Sequence, residues 1–305
     1  MSVEDIIQTH GYNEDIANYL RKVYPLYVEE FKNEVIVYNA LMKTPIVLCD
    51  NVYECLKEHG HLDDREDNEM VPLETLKVSS GVYDCSVKLS YNELSKEYTI
   101  VNEDRIVAIN AYSLKLDSKK STTSHELGHL IKALFNEHII KGDTLIERSG
   151  LITRIYQLSH ENGKVKKTLW SETGVGLEEG LNTVLEERIM SRLLEKGFES
   201  LGYQTMKGLA LKVMNAYNIP DLWEIFKEAE LYHDNSRIDS VLGNVFYELI
   251  EFADKLYPLN VELLNMNTSS ERQDEVKKEM IELINAEYAP ISEKLKSIGQ
   301  GSIEM

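Results

Sequence analysis

His125 and His129 stand four residues apart in the run His-Glu-Leu-Gly-His, with Glu126 directly after the first. On an α-helix positions i and i+4 share a face, so the two imidazoles can point at one metal ion. Glu126 lies one residue round from His125. From there a carboxylate can reach a metal-bound water without becoming a ligand itself. Five residues thus specify two ligands and a general base for hydrolysis.

The elements that must position them are legible in the flanking pattern. Leu127, Leu130, Ile131 and Leu134 recur at helical spacing and form an apolar stripe beside the histidines. Ser118, Ser121 and Thr123 are candidate N-caps, and Thr123 with Glu126 matches a capping box. Gly128 costs a helix interior about 1 kcal/mol relative to Ala and asks for a close approach by a neighbour. A catalytic zinc keeps three protein ligands and one position for water, so a third ligand is required. A third histidine six residues after the second is absent: position 135 is Phe and position 132 is Lys. Glu137, His138, Asp143, Glu147 and His160 are nearby candidates. A further one lies in Gly176-Leu-Glu-Glu-Gly-Leu-Asn-Thr183, which opens a second amphipathic helix. That helix is expected to run to about Lys196, with Gly197 as its C-terminal cap. A carboxylate in its first turn suits both the helix dipole and a metal.

These residues resemble the gluzincins, the thermolysin-like branch of zinc metallopeptidases, over roughly residues 100 to 195. The resemblance implies zinc as cofactor, His125, His129 and Glu179 as ligands, and Glu126 as general base. Glu178 is the nearest rival to Glu179, which is preferred because it precedes the small residue Gly180. Upstream, Arg105 to Lys115 is β-branched and apolar enough for a strand. Its Asn110-Ala111-Tyr112 resembles the family's Asn-Ala-aromatic segment, a sheet edge that binds extended substrate through backbone hydrogen bonds. His233, followed by Asp234, resembles the oxyanion donor found beyond the third ligand. The implied fold class is α+β: a zincin-like core with a small mixed or antiparallel sheet packed on the motif helix, followed by a mainly helical C-terminal lobe.

Two features depart from the family. Fifty residues separate His129 from Glu179. Ile152–Ser159 and Lys164–Trp170, flanking a polar His-Glu-Asn-Gly turn, account for the excess as an inserted β-hairpin. Thr183 occupies the place of an acidic partner for a ligand histidine, which leaves the imidazole orientation without a source.

The remaining chain divides into an α-rich N-terminal segment (1–75), a middle segment with sheet, motif helix and hairpin (76–175), and a helical segment (176–305). An acidic loop is expected at Asp63–Glu69 and a hairpin over Val82–Val101. Helices are expected over 202–217, 221–232, 236–256 and 271–297, with Pro220 and Ser270 marking starts. Net charge −19 argues against nucleic acid and anionic membrane surfaces as partners. The acidic start lacks the apolar run of a secretory leader, and three cysteines make a disulfide framework unexpected. A cytoplasmic protein is expected. Residues 114–170 run against the overall charge, with 10 Lys or Arg against 6 acids. They read as a solvated hairpin or as a basic lip that selects acidic peptides.

Gly174, Gly176 and Gly180 loosely resemble a dinucleotide-binding turn, but Glu178 and Glu179 would face the pyrophosphate. The expected partner is a peptide or protein substrate. The expected activity is peptidase, with an endopeptidase favoured because no Gly-x-Met-Glu-Asn segment is present to grip a free amino terminus. The alternative is a non-catalytic binding scaffold with structural zinc.

Overall fold

The computed structural model describes residues 1–62, 76–77, 79–114, 120–200, 202–215, 221–265 and 268–301. The acidic loop at 63–69, Ser118 and Pro220 lie outside the described residues. The fold is α+β, and its contacts cluster into two units. One comprises Met1–Arg148, Arg154–Ser171 and Leu185–Glu199; the other comprises Ser149–Thr153, Glu172–Val184 and Ser200–Met305. The described residues of 1–62 fall in the first unit, together with the sheet and the motif helix.

The first unit opens with α1 (Val3–His10), α2 (Glu14–Phe31) and α3 (Glu34–Lys43). Asn13 and Asn33 cap α2 and α3 by accepting from the amides of Ile16 and Ile36. Helix α2 was legible from Asn13 to Tyr24, and the structure extends it by two turns past Pro25.

Strand β1 (Ile46–Cys49), helix α4 (Val52–Glu58), strand β2 (Gly81–Asn92) and strand β3 (Glu97–Asn110) follow. The sheet order is β1-β3-β2, with β1 parallel and β2 antiparallel to β3. Ile106 and Ala108 pack on Val52, Cys55 and Leu56 of α4. The expected hairpin over 82–101 and the expected strand from Arg105 are one continuous pairing, because β3 runs unbroken to Asn110.

One expectation is overturned here. Strand β3 is central, not an edge. Asn110 pairs with Cys49 on one side, and its N–H donates to Ser80 on the other at 2.9 Å. Ala111–Leu114 is a 3-10 turn. The backbone of Asn110, Ala111 and Tyr112 therefore offers no open edge to a substrate.

The motif helix α5 spans Lys120–Lys132. It starts before Ser121 and Thr123, so neither is its cap, and the expected Thr123–Glu126 capping box does not form. Strands β4 (Glu137–Lys141), β5 (Thr144–Ser149), β6 (Ile152–Glu161) and β7 (Lys164–Thr173) make a second sheet in that order. The inserted hairpin is β6–β7, turned by Asn162 and Gly163 at φ 53° and 74°, the combination a two-residue hairpin favours. The β4–β5 pair was not foreseen.

Helix α6 (Val175–Leu193) contributes its first ten residues to the second unit and the rest to the first. It ends at Leu193, and Glu195, not Gly197, takes the left-handed C-terminal position. Then come α7 (Gln204–Asn215), α8 (Leu222–Tyr232), α9 (Ser236–Leu242) and α10 (Asn244–Leu264). Gly243 at φ 55° separates α9 from α10, where one helix was expected. Helix α11 (Ser270–Leu283) passes through a π turn at Ile284–Tyr288 into α12 (Ala289–Gly301), again where one helix was expected. Among the described residues no helix is long and apolar enough to cross a membrane.

Candidate metal centre

The motif helix is held from behind by α2. Tyr19 shares a 2.6 Å hydrogen bond with Ser124 Oγ, and Tyr27 donates to the Ser124 carbonyl. Both tyrosines are buried, and burial pushes both phenols well above the usual range. They are fixed donors in a dry layer. Leu127, Leu130, Ile131 and Leu134 are buried as the apolar stripe requires.

On this helix the two histidines meet. Their Nε2 atoms face each other at 3.1 Å, with ring centroids 4.8 Å apart and planes at 73°. Two nitrogens on a tetrahedral zinc at 2.0–2.1 Å would lie about 3.3 Å apart. One donor atom each from His125, His129 and Glu179 falls in a group within 4.8 Å, the one such trio among the described residues. Two imidazoles and a carboxylate are a donor set that zinc accepts, so the residues fit the implied metal.

The neighbouring glutamates divide by role. Glu178 is buried, and its Oε2 accepts from Leu151 N–H at 3.0 Å. A side chain at Gly150 would meet that carboxylate at 2.6 Å, so glycine is needed at the turn, where φ is 59°. Glu178 thus anchors the turn at 150–151, which leaves Glu179 as the ligand candidate on the same helix.

The dinucleotide reading of Gly174, Gly176 and Gly180 fails on contacts. Asp254 accepts from the N–H groups of Gly174 and Gly176 at 2.7 and 2.9 Å, placing a carboxylate where a phosphate would sit. A Cβ at Gly176 would lie 2.3 Å from the Ala253 carbonyl, and one at Gly180 2.4 Å from that of Met206. These glycines let helices touch.

Glu186 supplies the partner that Thr183 could not. Its buried Oε2 lies 3.1 Å from His125 Nδ1. With Nδ1–H donating to this carboxylate, Nε2 keeps its lone pair for a metal. Thr183 instead donates back to the Glu179 carbonyl at 2.8 Å. The signal was present in the sequence: Glu186 follows Glu179 by seven residues, two helical turns on one face.

Glu126 Oε2 accepts from Tyr83 N–H at 2.7 Å. Residues along β2 alternate between bonding β3 and facing outward. Since Ser80 bonds Asn110, Gly81 and Tyr83 present their amides on the outer side. The strand beside Glu126 is therefore β2. A Cβ at Gly81 would meet Ile109 and Thr122 at 2.8 Å and Glu126 Cγ at 3.2 Å, so this approach requires glycine. Asn110 instead donates from Nδ2 to the Asp50 carbonyl and accepts from Tyr112 N–H, holding the 3-10 turn.

His233 caps α8 at φ 52°, and its Nδ1 lies 3.0 Å from the Gly150 carbonyl. That carbonyl can only accept, so Nδ1 carries the proton. Asp234 is not its partner; Asp234 accepts from Ser236 N–H. Three of the other third-ligand candidates are engaged elsewhere: His138 with Glu103, His160 with Glu93 and Glu137 with Arg148. Asp143 and Glu147 are not in the group with the two histidines. His61 pairs with Asp84 at 2.7 Å, and the His59 ring bonds the Cys55 carbonyl at the end of α4. No family model, curated protein or solved structure matches the chain.

Proposed function

We propose that this chain is a zinc-dependent peptidase with a gluzincin-like catalytic core. The observation that supports it is the meeting of His125, His129 and Glu179, with Glu126 of the same motif helix tied to the neighbouring strand. The two imidazoles and Glu179 would hold the metal. A bound zinc lowers the pKa of its water from 15.7 towards about 7.

The chain's own residues then have these tasks. Glu126 takes a proton from water as the water oxygen attacks the peptide carbonyl carbon, and passes a proton to the amine nitrogen as the C–N bond breaks. Tyr83 N–H fixes the orientation of that carboxylate. Glu186 fixes the His125 ring. The outer side of β2 beyond Tyr83, not Asn110–Tyr112, is the backbone on which an extended peptide pairs. His233 remains the oxyanion donor of this reading. With Nδ1 held on the Gly150 carbonyl, Nε2 is the ring atom assigned to the oxyanion in this reading. The three unpaired thiols suit a reducing compartment such as the cytoplasm.

The test is Glu126→Gln with metal analysis and digestion of a peptide library. The expected result is zinc bound at about one per chain in both proteins, with cleavage in the wild type and none in the variant. Zinc bound without cleavage of any library by the wild type would favour the scaffold reading instead. Unchanged cleavage by Glu126→Gln would sink the mechanism.

A further inference from the structure

We infer that the outer side of β2 leads from Glu126 to a basic recess that binds acidic side chains, so that the substrate carries a carboxylate cluster several residues from the bond cleaved. The inference rests on the peptidase reading. It begins from a recess of about 700 Å³ where the far half of β2 meets the β6–β7 hairpin. Its walls include Lys88 and Tyr91 of β2, His160 of β6, and Lys164 and Lys167 of β7. None of the residues lining it is acidic. This is notable in a chain with 52 acids against 33 lysines and arginines.

The recess has some internal order. The His160 ring stacks on Tyr91 at 4.6 Å between centroids, and the Lys167 amine lies 5.4 Å over the ring of Tyr156. Glu93, largely exposed, lies 3.2 Å from His160 Nδ1, and Asp104, the cross-strand partner of Ser86, lies beside the recess; Asp84 is paired with His61. The three lysines belong to the lining itself, and these carboxylates do not. Against a negative overall field, such a local concentration of positive charge attracts anions and orients them.

Continuity with Glu126 selects the kind of anion. Tyr83, whose N–H holds Glu126, and Lys88 lie on one extended strand. Five residues at about 3.3 Å each put Lys88 about 17 Å along that strand. A register shift between Lys88 and Leu89 marks a bulge, a feature that re-aims side chains at a sheet edge. Among the described residues, β3 is the only strand paired with β2. An extended peptide paired along β2 beyond Tyr83 therefore presents to the lysines a residue about five positions from the one nearest Glu126. The recess volume falls in the range of small-ligand sites and holds a few carboxylate side chains.

The test uses the zinc-loaded full chain and two peptides with the same cleavable core. One carries an Asp-Glu cluster about five to eight residues from the core; the other carries Asn and Gln there. The expected result is about tenfold higher kcat/KM for the acidic peptide at low ionic strength, shrinking as salt is added. In the triple variant Lys88→Ser, Lys164→Ser, Lys167→Ser the ratio should fall to about one. Equal kcat/KM for the two peptides in the wild type overturns the inference. If neither peptide is cleaved, fluorescence anisotropy with the labelled acidic peptide and Glu126→Gln separates this idea from the peptidase reading. Binding that the triple variant abolishes supports the recess while the peptidase reading falls. No binding overturns the recess. Inorganic pyrophosphate competing as strongly as the acidic peptide also overturns it, in favour of a small-anion site.

Discussion

Glu186 holds its Oε2 3.1 Å from Nδ1 of His125, from the same helix that carries Glu179 two turns earlier. One helix thus carries both a candidate ligand and the carboxylate that orients another candidate ligand. A buried carboxylate on Nδ1 fixes the tautomer and raises the basicity of Nε2. Glu186→Gln keeps the shape and loses the charge. Zinc affinity should fall about 10- to 100-fold, measured by competition with a chromogenic chelator. Unchanged affinity would show that the pair does not tune the metal.

Glu178 and Glu179 are adjacent in sequence and should separate cleanly by experiment. Glu179→Gln should lose most of the zinc on dialysis while the fold remains. Glu178→Gln should retain zinc. It should lower stability by about 1–3 kcal/mol, because the buried Leu151 N–H keeps a weaker partner. Zinc content and urea unfolding of both variants check this. Loss of zinc in Glu178→Gln alone would reverse the assignment.

Gly81 sits where β2 meets the motif helix. Gly81→Ala drives a Cβ to 2.8 Å from Ile109 and Thr122, and overpacking of this kind costs about 1–3 kcal/mol. Gly208, inside α7 with open space around it, is the control; Gly208→Ala should stabilise by up to about 1 kcal/mol. Thermal unfolding of the two variants should move in opposite directions. A fall in both would mean that the contact at Gly81 is not the cause.

Glu103 gives the protein an acid-sensitive point. His138, 3.5 Å away, and the Arg105 guanidinium hold its carboxyl at about 2, below its ordinary 4.5, with burial opposing them. A depressed folded pKa means that the stabilisation is complete above about 4.5 and is lost as pH falls towards about 2. Glu103→Gln should flatten the melting temperature over that window. Parallel wild-type and variant curves from pH 5 to pH 2 would refute the assignment, on the expected linkage window of roughly those limits.

The motif helix and the helix bearing Glu179 were legible because apolar periodicity and His-Glu spacing are local signals. Hairpin β6–β7 was legible for the same reason, through Asn162-Gly163. Other features depended on distant partners. Asn110–Tyr112 was read as an edge because nothing local reveals that β1, sixty residues earlier, pairs with β3. Thr123 and Glu126 matched a capping box, yet Glu126 bonds Tyr83, more than forty residues away in sequence, and the helix begins earlier.

The sequence by itself determined which residue types stand at helical spacing: His125, Glu126 and His129, then Glu179 and Glu186 seven apart. Only the tertiary structure decided which of Glu178 and Glu179 faces the histidines, which strand lies beside Glu126, and where the lysines gather. The physical reason is that helical periodicity is written within a few residues. Side-chain direction around a crowded helix, and the order of strands in a sheet, are set by contacts between residues far apart in the chain.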